Sequence, residues 1–412
     1  MARHEGSAPY LLGTDDRQRW QRDYFFAPRG IGFLEPGVDP LDAPALAAYN
    51  VAKSAYQLRP DVFDLSWVGE RVGIKPDEVA ARMRRLYDEH LIMFVNNPAT
   101  QVSGWGLYYW FVKMRDDAPK EAKDTLAGWF QEKDDICTGF RAEGDFDFFN
   151  GNHMRVLDNL LHDVLEPWRH DPEVEWVHLA PIRRDIRESQ MNMWDAPGDG
   201  YAECVWAEGQ LERLAEHQDV MDLTDLRIVE ALNTKRPMKD YYDFDVLADV
   251  SGLDPDEMRE GIEQVVEVKR TVLPLFHLNF HKLGLTNRMF VIRLFQNVPC
   301  HRKAEITDEL TAMPEFNIVL EFTDSFHDIA VAAWNEITDV DALRQRIDAF
   351  PEVEEVLVAD IDRQFRRWVC RLDDENGFWE ECVFTDDFLQ DRLQQPTVRC
   401  TLTEPRDEGK EA

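Results

Sequence analysis

The chain has 412 residues, 44% of them hydrophobic and 31% charged, enough length and apolar content for two or three globular domains. Acidic residues number 80 against 46 Lys and Arg, a formal net charge of −34. Nucleic acids and anionic membranes are held by cations that displace counterions, so this balance argues against either as the main partner.

The six cysteines (Cys137, Cys204, Cys300, Cys370, Cys382 and Cys400) are scattered, with no C-x-x-C and no zinc-like Cys/His spacing. They read as free thiols of a reducing compartment. The N-terminal "MARHEGSAPYLLGTDD" lacks the apolar core of a signal peptide, and no run of 18 apolar residues appears. A cytoplasmic location is the expectation.

In chain order, residues 1–40 are punctuated by Pro and Gly and read as an N-terminal arm. Residues 41–98 contain "DLSWVGERVGIKPDEVAARMRRLYDEHLI", a helix, a Gly turn, a Pro-Asp start and a second helix, hence a helix-turn-helix. Residues 99–190 follow with strand "GLYYWFVKM", helix "KEAKDTLAGWFQEK", strands "ICTGFRAEG" and "FDFFNGNHM", helix "VLDNLLHDVLEPWR" and strand "VEWVHLAPI". This βαββαβ order predicts a ferredoxin-like domain, a four-stranded antiparallel sheet with its helices on one face. A linker spans 191–219. A second helix-turn-helix is expected at 220–275 and a second ferredoxin-like domain at 276–386, where "RMFVIRLF", "HRKAEITDELTAM", "NIVLEFT", "IAVAAWNEI", "DVDALRQRIDAF" and "VEEVLVADI" repeat the order. Residues 387–412 form a polar tail.

Three stretches recur about 180 residues apart: "GIKPDEV" with "GLDPDEM", "GWGLYYWFVKMRDDAP" with "GLTNRMFVIRLFQNVP", and "PEVEWVHLAPIRRDIR" with "PEVEEVLVADIDRQFR". Collinear matches at one offset make the chain a tandem repeat of one module. The expected fold is therefore α+β, two copies of a winged-helix-like unit plus a ferredoxin-like domain, paired within one chain.

A helix-turn-helix followed by βαββαβ resembles the Lrp/AsnC family of feast/famine regulators. The stretch "EGDFDFF" (Glu143–Phe149) is similar to that family's Gly-Asp-aromatic-Asp-aromatic turn. The second copy has "TDSFHDIA" (Thr323–Ala330) there, keeping Asp328 and losing the Gly. The resemblance implies ligand sheets that face one another with an effector nearby. It also extends to the siroheme decarboxylases, an enzymatic branch with a degenerate helix-turn-helix and no metal or organic cofactor. "YWFVKM" and "MFVIRL" are similar to that branch's first ligand-domain strand.

Charge bears on which branch applies. A DNA-reading second helix needs Arg, Lys, Asn, Gln or Ser at bases and phosphates. Asp254 to Arg270 carries six acids and three bases, and Lys75 to His90 carries four of each. A symmetric operator requires two competent helices, and at most one is present. Nucleic acid is therefore not expected as a partner, and the helical units are expected to serve in packing.

Strand parity selects candidate site residues. Val177, Leu179, Val356 and Val358 should face the helices, leaving Trp176, His178 and Ala180 on the other face. His178 stands where the second copy has Leu357, and an imidazole suits general acid or base work. A hydrogen-bonded structural His is the alternative. His327, in the turn equivalent to the family's effector turn, and His153 are the other catalytic candidates. Tyr109 and Lys113 share a strand face, and Arg293 repeats Lys113. With Arg183, Arg363 and His281 they are the candidates for binding an anionic substrate, against the alternative of ordinary ion pairing. His277 and His281 are four apart, but Pro274 points to an extended segment, so no metal site is expected. "GWGLYYWF" favours a large flat ligand, although most of its rings should be core.

The expectation is a cofactor-independent carbon–carbon lyase. It would decarboxylate, or release formaldehyde from, a bulky aromatic anion held between the two ligand domains. A transcription regulator or effector-binding protein is the alternative. A homodimer of the internally paired chain is compatible with either.

Overall fold

In the computed structural model the described residues are 75, 77, 81, 92–98, 106–133, 136–154, 157–188, 191–192, 202–203, 222–233, 243–268, 272–278, 286–313, 315–323, 326–335, 338–367, 370–372 and 379–382. The expected N-terminal arm, nearly all of the first helix-turn-helix, most of the linker, the polar tail and His281 lie outside them.

Two βαββαβ series are present. The first runs β2 (Gly106–Met114), α1 (Lys120–Glu132), β3 (Thr138–Gly144), β4 (Phe148–Met154), a helix α2 built of Leu157–Asn159, Leu160–Leu165 and Glu166–Arg169, and β5 (Val174–Glu188). The second runs β7 (Asn287–Leu294), α6 (Cys300–Thr311), β8 (Phe316–Phe322), β9 (Ile329–Trp334), α7 (Val340–Asp348) and β10 (Val353–Arg367).

Their strands do not form two facing sheets, as the resemblance implied. They join edge to edge in the cyclic order β8-β9-β7-β10-β3-β4-β2-β5, with β5 closing back onto β8, an eight-stranded antiparallel barrel. The cause lies in the last strand of each series. Both are 15 residues long, longer than their partners. The first part of β5 pairs with β2 and its second part with β8; β10 divides itself likewise between β7 and β3.

Each helix layer covers its own series. Trp110, Val112, Met114, Leu126, Phe130, Val164 and Val177 make one core, and Phe290, Ile292, Ile306, Leu310, Val331, Leu343 and Val356 the other. The crossing strands exchange members: Phe365 of β10 enters the first core and Ile186 of β5 the second. Each such side chain contributes roughly 2 kcal/mol to closure.

The barrel interior has a core of its own. Tyr109, Phe111, Phe140 and Phe149 stack within the first series, and Phe322 meets Tyr109 and Phe111 edge-on. The second series contributes smaller side chains, Val291, Ala330 and Ala332, all buried. Both faces of β2 are thus covered, which is why its sequence is a near-continuous apolar run.

Outside the barrel lie α3 (Leu223–Asn233), α4 (Phe244–Ser251) and α5 (Pro255–Ile262). The turn between α4 and α5 is as its sequence predicts. Gly252 takes the left-handed conformation at φ 71°, and Asp254 caps α5 in a reciprocal box with Glu257. Two further strands, β1 (Ile92–Pro98) and β6 (Val272–Leu278), pair antiparallel over seven residues, Ile92 opposite Leu278. His277 lies in β6, extended as Pro274 foretold.

Candidate functional site

One mouth of the barrel is formed where β2 and β7 end, β5 and β10 begin, and the β3–β4 and β8–β9 turns cross over. Each turn is anchored by the same device. Asp147 accepts from the backbone N–H of Met114 (2.8 Å) and from Lys123 Nζ (2.9 Å). Asp328 accepts from the N–H of Leu294 (2.7 Å) and from Lys303 Nζ (2.8 Å). A buried carboxylate with an ammonium and an amide is satisfied only if the turn stays in place.

Ahead of those aspartates the turns differ. In the first, Gly144 at φ 147° lets the chain close on β10. Asp145 donates its N–H to the Val358 carbonyl (2.8 Å) and accepts the Val358 N–H (2.7 Å). Phe146 then turns inward to meet Phe111 edge-on. In the second, Phe326 and His327 hold the places of Asp145 and Phe146, counting back from the aspartate.

His327, 1% exposed, lies edge-on to Phe111 and reaches β5. There its Nε2 lies 3.2 Å from Nδ1 of His178, one ring nitrogen donating and the other accepting. His178 is half-buried and sandwiched between two rings. Trp176 lies nearly parallel at 4.1 Å, and Phe326, 43% exposed, lies at 3.8 Å. The guanidinium of Arg293 covers Phe326 at 4.9 Å. A file of Trp176, His178, Phe326 and Arg293 thus stands at the mouth, with Nε2 of His178 as its remaining imidazole nitrogen.

Both imidazoles resist protonation. His178 falls from 6.5 to about 4, first through burial and then through the positive charges of Arg293 and Arg169. His327 falls to about 3, through burial, His178 and Arg293. At neutral pH the pair is uncharged, and the two charges that most disturb His178 are cations. An arriving anion would relieve both and raise the basicity of His178.

The remaining candidates are distributed differently. Lys113 is at this mouth, donating to the Gly144 carbonyl (2.9 Å) and lying 3.5 Å from Asp147, so it holds the turn. Arg293 also faces Glu354 and Glu355, each at 3.2 Å. Tyr109 is buried in the ring stack of the barrel interior. His153 lies away from this mouth. It pairs with Leu107 near the start of β2, six residues and roughly 20 Å from the mouth. Arg183 belongs to the β5–β8 seam, where it and Arg184 bind the buried Glu321. Arg363 lies at the opposite seam beside Arg141, its pKa lowered by burial and then by that neighbour. Trp176 and Phe326 stack on His178 in this candidate site, and parity and turn position did not single them out. Their aromatic character beside each histidine was the available signal.

Among the described residues no group of three or more His, Cys, Asp and Glu converges as metal ligands would. The two histidine nitrogens meet as hydrogen-bond donor and acceptor, not as lone pairs aimed at a common point. No helix among the described residues is long and apolar enough to cross a membrane.

No protein-family model and no curated protein matches the chain. Solved structures do. The crystal structure of the siroheme decarboxylase NirDL matches at 12% identity and TM-score 0.50, covering 84% of this chain and 96% of that one. The transcriptional regulator NMB0573 of Neisseria meningitidis, in complex with L-Met, matches at 18% identity and TM-score 0.29, covering 36% and 93%. AsnC of E. coli matches at 10% identity and TM-score 0.29, covering 35% and 93%. The chain has an α+β fold like that of siroheme decarboxylase NirDL, over nearly the whole of that protein.

Proposed function

We propose that the chain is a carbon–carbon lyase acting on a flat aromatic anion at the barrel mouth, by decarboxylation or by release of formaldehyde. One observation carries the reading. His178 and His327 hydrogen-bond across the two series, while Leu357 and Phe146, apolar and unable to exchange a proton, hold the equivalent places. A packing role would be served equally by the apolar pair, so the imidazoles call for a chemical reason.

The chemistry follows from the electrostatics. The anion docks against the exposed edge of Phe326, near Arg293 and Arg169, and its charge raises the basicity of His178. In decarboxylation the C–C electron pair stays on the aromatic fragment as carbon dioxide leaves, and that carbon takes the proton that His178 Nε2 has drawn from water once the docked anion raised its basicity. In formaldehyde release His178 accepts the hydroxyl proton, the C–C bond breaks as the carbonyl of formaldehyde forms, and the carbanion is then protonated. His327 holds the His178 ring through Nδ1. The packed interior around Tyr109 and Phe149 moves the proposed binding place from between two sheets to the mouth. The fold shared with siroheme decarboxylase NirDL makes tetrapyrrole carboxylates one substrate class to try. Tandem duplication of an Lrp/AsnC-like module is the origin we infer for the two series.

The test is incubation of the protein with a panel of aromatic acids, β-hydroxy aromatic compounds and tetrapyrrole carboxylates, scored for carbon dioxide and formaldehyde. Product from wild type that disappears in His178→Leu supports the reading. Binding without turnover across the panel rejects it and favours a ligand sensor, which the intact α4–α5 turn would suit.

A further inference from the structure

The two seams that close the barrel have the same geometry and opposite charge. In the β5–β8 seam, Glu321 stands opposite Arg184, and Arg183 is the extra residue of a bulge. Both guanidiniums bind the Glu321 carboxylate, which is fully buried. In the β10–β3 seam, Arg141 stands opposite Arg363, and Asp362 is the extra residue of the matching bulge. Here Asp362 takes Arg141 through Nε at 3.0 Å and Nη2 at 2.8 Å. Position for position, Glu321 answers to Arg141 and Arg183 to Asp362.

Sorted by series, the signs separate. The first series offers Arg141 on one edge and Arg183 with Arg184 on the other, all cationic. The second offers Glu321 on one edge and Asp362 with Arg363 on the other. Two first series pairing with each other would set arginine against arginine at both seams. Two second series would set Glu321 opposite Arg363 and beside Asp362, exchanging one of its two guanidiniums for a like-charged carboxylate. Only the unlike pairing gives the fully buried Glu321 two guanidiniums and Arg141 a carboxylate, and a buried charge left short of partners costs far more than a matched pair gains.

We propose that these seam charges are a pairing code: each half accepts only the unlike half as its partner, from its own chain or a second copy. The code secures one barrel with one His178–His327 mouth, where like-with-like assembly gives mouths holding one member of the pair each. Independently of any activity, it explains why the polarity is inverted between seams of otherwise common design.

The test uses the full chain. Glu321→Arg, and separately Arg183→Asp, should each lower the thermal midpoint by roughly 5 °C or more. The double variant Arg183→Asp with Glu321→Arg reproduces the charges of the other seam and should recover at least half of that loss. It also makes each half self-complementary. After unfolding in urea and refolding, it should therefore form concentration-dependent species larger than wild type by light scattering. A single variant as stable as wild type overturns the proposal, and so does a double variant no more stable than Glu321→Arg. A double variant that regains stability but keeps the wild-type mass at all concentrations reduces the charges to simple stabilisers and rejects the code. If Glu321→Arg fails to fold, Arg183→Asp against the double variant gives the same comparison.

Discussion

His178 and His327, 149 residues apart, share a hydrogen bond of 3.2 Å at the barrel mouth. Neither residue's own series supplies that partner: β5 of the first brings one ring and the β8–β9 turn of the second brings the other. The second series has Leu357 where the first has His178, and the first has Phe146 where the second has His327. The barrel's approximate twofold repetition is broken at the point where acid–base groups meet.

The substitutions His178→Leu and His327→Phe install the residue already present in the equivalent place, so both should fold. In a turnover assay His178→Leu should lose activity by about 10²–10⁴-fold, the range for removing a general acid or base. His327→Phe should lose less, because Nε2 of His178 is retained while its orientation is not. Ligand affinity measured by calorimetry should change little in either.

Acid should destabilise the fold through this pair. In the unfolded chain both histidines titrate near 6.5, whereas in the fold they are lowered to about 4 and about 3. Between those values the unfolded chain binds more protons, so stability falls as pH drops from about 6.5 towards 4. Urea unfolding at pH 7.5, 6.0 and 5.0 should show this fall. The His178→Leu/His327→Phe double variant should show a shallower one.

The glycines give a paired stability test. At Gly144 a Cβ would clash with the Val358 carbonyl oxygen, at φ 147°. Gly144→Ala should therefore cost about 2 kcal/mol or more and loosen the first turn from β10. Gly128, on the exposed side of α1, has nothing within 4 Å of such a Cβ. Gly128→Ala should stabilise by about 1 kcal/mol. Denaturation midpoints read both.

The long last strands also clasp the halves through arginine. Arg187 of β5 donates to the carbonyls of Thr311 (2.8 Å) and Phe316 (2.8 Å), at the end of α6. Arg366 of β10 donates to those of Gln131 (3.3 Å) and Ile136 (3.0 Å), at the end of α1. A cation buried at a helix C-terminus meets the negative end of the helix dipole and its open carbonyls. Arg187→Leu and Arg366→Leu should each destabilise by about 3 kcal/mol, by leaving buried carbonyls without donors. Thermal unfolding measures it.

Much of the fold was legible because it is written locally. The period-2 and period-3.6 patterns placed both βαββαβ series, and Gly252 with Asp254 and Pro255 dictated the turn into α5. Parity put Val177 and Val356 against the helices and His178 on the opposite face. Turn position brought His327 forward as a candidate. The surroundings of Arg183, Arg363 and Tyr109 were not legible, because residue type and face do not reveal which partner a side chain finds. Arg183 meets Glu321 138 residues away, and Tyr109 meets Phe149 and Phe322 from two other strands.

By itself, then, the sequence determined the elements of the two βαββαβ series, their order and the helix-facing side of β5 and β10, since these depend on side-chain periodicity and a few backbone-restricting residues. The tertiary structure alone decided that the sheets close into a barrel rather than face each other, because side-chain periodicity does not say which strand edges meet and the charges matched across the seams are recognisable only once those strands are paired. It alone joined His178 to His327 and assigned the arginines to seams and helix ends. Hydrogen bonds and buried ion pairs between residues more than a hundred positions apart exist only once the chain has folded around them.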